Sequence, residues 1–129
     1  GKPVWILRRT QEMLNDITLL NDDVDDPASD ISAQPDYAKN EFRSRKDEFL
    51  VVLGVCTHLG CSPNYVLKDD DNTPTVDWKG GFFCPCHGSR FDLAGRVFKG
   101  VPAPLNLVVP PYKFISPSRL LIGDDSEAA

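Results

Sequence analysis

The second half of the chain alternates short apolar runs with turn-forming residues. From Glu48 onward the runs FLVVLGV, GGFFC, NLVVP, YKFI and RLLIG are separated every few residues by Gly, Pro, Asn or Asp. Runs of this length and spacing are typical of antiparallel strands joined by tight turns. The segments DLAGR (92–96) and SPSR (116–119) favour hairpin turns. The pattern predicts a mainly β domain, arranged as a sandwich or small barrel.

The first half predicts one strand, one helix and long loops. Residues 3–10, PVWILRRT, form an apolar run that ends at Thr10, a favourable N-cap. Apolar residues then recur at helical spacing, at Met13, Leu14, Ile17 and Leu20, so we expect a short helix there. The acidic residues 21–37 contain two prolines and predict a solvated loop, because the glycine and alternation of a calcium-binding loop are missing. Residues 62–79 predict a long irregular insert.

Composition and charge restrict the classes of protein to consider. The 129 residues are 41% apolar and 26% charged, which is typical of a globular protein and fits one domain over residues 1–129. The net charge of −5 argues against nucleic-acid binding, which needs a basic surface. The longest apolar run, 49–56, is far shorter than the roughly 20 residues that span a bilayer. Because the chain starts at Gly1 without a signal pattern, we expect a piece of a longer protein.

All four cysteines and both histidines lie in two short segments. We call VCTHLGCSP (55–63) the first loop and FCPCHGSRF (83–91) the second loop. Each offers two cysteines and one histidine, which points to a metal site or to disulfides. Two disulfides would leave the histidines unexplained, and Cys84 and Cys86 are too close in sequence to bridge each other easily.

Several metal centres fit these residues to different degrees. Zinc could bind Cys56, His58, Cys84 and His87, but it would leave two cysteines over. An all-cysteine iron-sulfur cluster would leave both histidines idle, and Cys-x-Cys spacing suits it poorly. A 2Fe-2S cluster with mixed cysteine and histidine ligands, together with one disulfide, uses all six residues.

The two loops resemble the cluster-binding boxes of Rieske iron-sulfur proteins. CTHLGC and CPCHGS are similar to the two boxes, and GVPAP (100–104) is similar to the proline loop that covers the cluster in quinol-oxidising members. The resemblance runs from about Glu48 to Gly123 and is closest to bacterial Rieske subunits of cytochrome bc complexes. It implies a Rieske-type antiparallel β fold, with a cluster-binding subdomain at about 54–104 and a base formed by the flanking segments.

The resemblance implies a ligand set for a Rieske 2Fe-2S cluster. Cys56 and Cys84 would bind the inner iron, and His58 and His87 the outer iron. Replacing two thiolates by neutral imidazoles leaves less negative charge on the cluster, which places such potentials at roughly −150 to +300 mV.

The remaining roles are also implied by the resemblance. Cys61 and Cys86 would form a disulfide that closes a loop of about 26 residues, worth roughly 3–4 kcal/mol in the chain-entropy account. Ser89 would donate a hydrogen bond to a cluster sulfide and so tune the potential. The cluster would be shielded by Leu59, Gly100, Pro102 and Pro104.

Electron transfer from quinol is the function that the resemblance implies. His58 and His87 would be the catalytic residues, one of them taking the quinol proton as the electron enters the cluster, which then reduces a c-type cytochrome. The partners would be cytochrome b and a c-type cytochrome in a quinol–cytochrome c reductase, of which this chain is the catalytic iron-sulfur subunit; the isolated domain would only carry electrons. The disulfide implies an oxidising compartment, here the periplasmic side of the bacterial inner membrane, with an N-terminal anchor outside this chain.

Other classes remain open at the level of sequence. The small subunit of arsenite oxidase is similar in its boxes and disulfide, and the proline loop favours quinol oxidation over it. Rieske ferredoxins and ring-hydroxylating oxygenases resemble the boxes without the extra cysteine pair. A zinc-binding interaction module is the alternative without redox chemistry.

Two residues depart from the pattern of the family. Val101 precedes the Pro-Ala-Pro triplet, which puts the shape of the proline loop in doubt. Phe91 stands where many high-potential members carry a tyrosine that donates a hydrogen bond to a ligand thiolate.

We predict that Phe91→Tyr raises the reduction potential, because it restores a hydroxyl donor next to the ligand thiolate. A redox titration of the two proteins checks this. An unchanged or lowered potential in the variant would contradict the tuning role given to residue 91.

Overall fold

Short antiparallel strands make up most of the regular structure in the computed structural model, which describes residues 2–126. The strands are β1 (Val4–Arg8), β2 (Phe49–Leu53), β3 (Asn64–Val66), β4 (Gly81–Phe83), β5 (Arg90–Phe91), β6 (Tyr112–Ser116) and β7 (Arg119–Ile122). Within the described range they form three small sheets, β1–β2, β3–β4–β5 and β6–β7. The predicted mainly β fold is therefore confirmed.

Strand β2 lies at the centre of the core. It pairs with β1 from Val4↔Leu53 to Arg8↔Phe49, and its central residues Leu50, Val51 and Val52 are fully buried. Side chains of this size each contribute about 1.5–3 kcal/mol when they leave water. The same apolar cluster includes Cys56 and Cys84, so each loop is anchored in the core by one cysteine.

The short helix predicted after Thr10 is confirmed as α1 (Gln11–Leu19). The Thr10 hydroxyl accepts a hydrogen bond from the Met13 N–H at 3.2 Å, and the Met13 sulfur accepts one from the Thr10 N–H at 3.4 Å. These contacts satisfy backbone donors that the first turn leaves free. Ile17 on the inner face packs against Leu93 and Ala94.

Both predicted hairpin turns are present. The Asp92 N–H donates to the Arg96 carbonyl at 2.9 Å, and Phe91 bridges Val97 across this turn. Residues 116–119 join β6 to β7, with Ser116 opposite Arg119.

Two predictions about strands were wrong. Residues 62–79 are not wholly irregular, because β3 lies within them and pairs with β4 from Asn64↔Phe83 to Val66↔Gly81. The run NLVVP (106–110) forms no strand. Its backbone hydrogen bonds go to separate segments: the Leu53 N–H donates to the Val108 carbonyl, and the Val109 N–H donates to the Ala33 carbonyl. Pro110 and Pro111 have no N–H with which to extend a ladder.

The acidic stretch 21–37 was predicted to be solvated, and this is wrong for Asp26. Its side chain is buried and accepts hydrogen bonds from the N–H groups of Asp30 and Ile31 and from the Ser32 hydroxyl. Burial opposes ionisation of Asp26, but these hydrogen bonds outweigh it and lower the pKa of the carboxyl group. The carboxylate therefore orders the stretch from within, and Asn106 links it to the core by donating to the Asp26 carbonyl and to the Ser32 hydroxyl oxygen, both at 3.2 Å.

Buried arginines hold the turn at 92–96, a feature that the sequence pattern did not predict. Arg9 donates to the Leu93 carbonyl at 3.0 Å, and Arg43 donates to the carbonyls of residues 94 and 95 at 3.2 and 3.3 Å. Arg96 pairs with Asp92 at 2.7 Å, and both side chains are fully buried. Burial lowers the pKa of Arg43 to about 10, which still leaves it charged at neutral pH. The turn that follows the second loop is thus fixed from several sides.

We predict that Arg96→Leu lowers the free energy of unfolding by about 3–5 kcal/mol, because the buried Asp92 carboxylate loses its paired charge. Urea unfolding measures the change. Arg8→Leu is the matched control, since the Arg8–Glu48 pair at 2.8 Å is exposed and such pairs contribute less than about 1 kcal/mol. Equal losses in the two variants would refute the structural role of the buried pair.

Candidate metal centre

The two loops adopt the same type of backbone turn. In the first loop the Cys56 N–H donates to the Cys61 carbonyl at 2.6 Å and the Gly60 N–H to the Cys56 carbonyl at 3.0 Å. In the second loop the same pair of bonds runs from Cys84 to Ser89 at 2.8 Å and from Gly88 to Cys84 at 3.0 Å. Gly60 and Gly88 have φ values of 84° and 82°, a region that favours glycine. In each turn, these hydrogen bonds fix the backbone that carries the first cysteine and the histidine that follows it.

A disulfide joins the two turns. Cys61 and Cys86 are bonded, across a sequence separation of 25. The sulfur of Cys84 lies close by, since the sulfurs of residues 61, 84 and 86 are all within 4.8 Å of one another. The disulfide that the resemblance implied is present, and the alternative of two disulfides is excluded because Cys56 and Cys84 are free.

The free thiols face the protein interior. Cys56 and Cys84 are each 2% exposed and belong to the apolar cluster that also contains Phe82 and Phe91. Burial raises the pKa of the Cys56 thiol. A cation bound here would replace the proton and keep both sulfurs as thiolates.

The histidine rings lie together on the outer side. The ring centroids of His58 and His87 are 5.0 Å apart and the ring planes are 84° from parallel. His87 is exposed and His58 partly exposed. Two buried sulfur donors and two nitrogen donors nearer to solvent therefore come from adjacent turns, which is the donor set of a 2Fe-2S cluster with mixed ligands.

The proline segment (residues 100–105) is hydrogen-bonded to both loops. The Ala103 N–H donates to the Ser89 hydroxyl oxygen at 2.9 Å, and the Thr57 hydroxyl donates to the Leu105 carbonyl at 2.5 Å. Sequence reasoning missed Thr57 and Ala103, since neither residue type signals a contact with a segment more than ten residues away. The segment is thus fixed to the loops by specific polar contacts.

The predicted shielding residues lie at the surface of this region. Leu59 is 68% exposed, and Gly100, Pro102 and Pro104 are exposed as well. Val101, which departs from the family pattern, is partly buried and packs against the core. The extra residue is accommodated by directing its side chain inward.

The two predicted tuning residues are both fully buried. The Ser89 hydroxyl oxygen accepts a hydrogen bond from the Ala103 N–H at 2.9 Å. Phe91 lies in β5 opposite Phe82 of β4, in the same apolar cluster as both free cysteines. Residue 91 therefore belongs to the same apolar cluster as the sulfur donors but has no polar side-chain atom.

Comparison with known proteins agrees with this geometry. Residues 37–113 match the family described as Rieske [2Fe-2S] domain. This is more than half of the chain, and the chain belongs to that family. Its cofactor is a Rieske 2Fe-2S cluster, which the two thiols and two imidazoles described above fit.

Two similar proteins are named as subunits of a ubiquinol-cytochrome c reductase and of a cytochrome b-c1 complex. The chain is 53% identical over its whole length to the ubiquinol-cytochrome c reductase iron-sulfur subunit of Allochromatium vinosum, of which it covers 62%. It is 46% identical over 95% of its length to the mitochondrial cytochrome b-c1 complex subunit Rieske-1 of Arabidopsis thaliana, of which it covers 38%. The chain therefore spans less than two thirds of either relative.

A solved structure is also similar. The plasma membrane Rieske protein of Synechocystis PCC 6803 is 32% identical, with 61% of this chain and 68% of that one covered and a TM-score of 0.41.

In residues 2–126, no helix has both the length and the apolar character needed to cross a bilayer.

We predict that Gly88→Ala lowers the free energy of unfolding by about 1–3 kcal/mol, because a positive φ is strained for alanine. A Cβ atom at Gly88 would meet no described atom within 4 Å, so the loss comes from the backbone and not from a clash. Gly88→Asn is the control, since asparagine tolerates this region better. If urea unfolding shows that the Gly88→Ala variant is at least as stable as the Gly88→Asn variant, the positive φ that both turns require is contradicted.

Proposed function

We propose that this chain transfers single electrons from quinol to a c-type cytochrome, as the iron-sulfur subunit of a cytochrome bc complex. One observation carries the proposal: two turns joined by a disulfide together supply two buried free thiols and two neighbouring imidazoles that are partly or fully exposed. The names of the relatives, a ubiquinol-cytochrome c reductase subunit and a cytochrome b-c1 subunit, support the choice of reaction.

The proposed ligands are Cys56, Cys84, His58 and His87. When bound, the cluster supplies one-electron redox chemistry in the range of roughly −150 to +300 mV. The chain binds it between the two turns, which the disulfide holds together, and excludes water from the sulfur side by burial. Ser89 and Phe91 set how many hydrogen bonds the sulfurs receive, and this number influences the potential.

The histidines are proposed to move the proton. An imidazole that uses one nitrogen as a ligand keeps the other for a hydrogen bond. The exposure of His87 and the partial exposure of His58 give a quinol hydroxyl access to that second nitrogen. A ring whose second nitrogen is deprotonated would accept the quinol proton there, and the electron would pass to the cluster bound to the same ring. Leu59, Gly100, Pro102 and Pro104 would form the rim that the quinol pocket of another subunit closes.

The proposed setting follows from the chemistry of the disulfide and from the relatives. A persistent disulfide is typical of an oxidising compartment, which in a bacterium is the periplasmic side of the inner membrane. Cytochrome b and a c-type cytochrome would be the partners, and membrane attachment would come from sequence outside this chain. The single-domain division, with a cluster-binding part at about 54–104, remains a prediction.

We predict a positive reduction potential that falls as pH rises from neutral to alkaline, because reduction is proposed to be coupled to proton uptake, which becomes less favourable as the proton concentration falls. Protein-film voltammetry of the cluster-loaded chain measures this. The Cys84→Ser variant, which lacks one proposed ligand, serves as control and should lose the couple. A negative potential that does not change with pH would place the chain with ferredoxin-type carriers instead.

A further inference from the structure

The two loops differ in what closes their ends. The second loop is closed by a hairpin, because β4 before it pairs with β5 after it, with Phe83 opposite Arg90. The first loop connects β2 to β3, and these strands belong to different sheets. Within residues 2–126, no backbone hydrogen bond joins β2 to β3. The ends of the first loop are therefore not held by strand pairing, and keeping them together costs chain entropy.

The indole ring of Trp5 contacts both ends of the first loop. Trp5 lies in β1, opposite Val52 of β2. At the start of the loop its ring packs against Gly54, since a Cβ atom at this glycine would lie 2.7 Å from the indole Cε2 and Nε1 atoms. At the end of the loop its N–H donates a hydrogen bond to the Pro63 carbonyl at 3.2 Å. One side chain thus links the residue before the loop to the last residue in it.

The surroundings of Trp5 keep the indole in this position. The side chain is partly buried and packs against the apolar cluster that contains Cys56 and Cys84. Gly54 and Pro63 are both buried. A buried tryptophan N–H normally has a hydrogen-bond partner, and a buried carbonyl that loses its donor carries a desolvation cost. The indole is therefore held by apolar packing on its ring and by one directional bond at its edge.

We propose that Trp5 is a positioning residue for the metal centre, which closes the base of the first loop and so keeps Cys56 and His58 next to the second loop. The inference rests on the proposed function, in which these two residues are cluster ligands. The disulfide holds the first loop at Cys61, and the indole holds the chain at residue 54, before the loop. Both ligands thus lie on a segment that is fixed at each end.

The test compares Trp5→Phe, which removes the indole N–H and keeps an aromatic ring, with Trp78→Phe. Trp78 is the matched control because its indole N–H donates to the Val66 carbonyl at 3.1 Å, beyond the first loop. Hydrogen exchange of the cluster-loaded chain is measured by mass spectrometry on peptides from the two loops. We expect Trp5→Phe to speed exchange in the first loop by about 3- to 10-fold, as for one lost hydrogen bond, and to leave the second loop unchanged. Trp78→Phe should leave both loops unchanged.

Electron paramagnetic resonance of the reduced cluster supplies a readout that a loss of overall stability would not move. A looser first loop changes the geometry of the His58 ligand, so Trp5→Phe should shift or broaden the spectrum and Trp78→Phe should not. If Trp5→Phe does not retain the cluster, benzothienylalanine at position 5 in a Trp78→Phe background decides in the same way. It replaces the indole N–H by sulfur at nearly the same ring size.

Two results would overturn the proposal. One is an equal acceleration of exchange in both loops of Trp5→Phe, which would show a general opening of the fold. The other is a Trp5→Phe variant that matches Trp78→Phe in both exchange and spectrum. Failure of the proposed function is a separate outcome, in which the unchanged, cluster-loaded chain shows no redox couple; exchange in the two loops then still decides whether Trp5 closes the first one.

Discussion

The bond between Cys61 and Cys86 is the constraint on which the metal centre depends. It joins two turns 25 residues apart in sequence, and these turns have matching internal hydrogen bonds. Without a link, two short loops far apart in sequence would have little reason to stay next to each other. With it, the thiols of Cys56 and Cys84 are buried and the rings of His58 and His87 lie nearer to solvent, and the proposed function assigns proton transfer to the exposed side.

Next to the second loop, buried arginine side chains hold the backbone in addition to apolar packing. The guanidinium groups of Arg9 and Arg43 hold the carbonyls of the turn after the second loop, and Arg96 pairs with Asp92 inside it. Buried ion pairs cost desolvation and often add little net stability. Their directional hydrogen bonds, however, specify one position for the chain that leads from Ser89 to the proline segment, and position is what a redox site needs.

Sequence predicted those parts of the structure that depend on local chemistry. The Thr10 cap, the helix spacing up to Ile17, the two hairpin turns and the two loops that carry all cysteines and histidines could all be identified in short windows. The missed features depend on distant contacts. Arg43 and Arg96 are residue types that normally lie at the surface, and Asp26 belongs to an acidic stretch, so their burial could not be predicted without knowing what packs on them. Strand β3 was missed because its three residues exist as a strand only through pairing with β4.

The most direct test of the account uses the fact that the chain has only two histidines. Labelling every histidine with nitrogen-15 therefore labels His58 and His87 alone. Pulsed electron paramagnetic resonance of the reduced, cluster-loaded chain should show strong coupling to nitrogen that changes from the nitrogen-14 to the nitrogen-15 pattern on labelling, with two nitrogens per cluster. A cluster signal without histidine nitrogen coupling would contradict the proposed ligands, and bound zinc without any paramagnetic cluster would contradict the redox function as a whole.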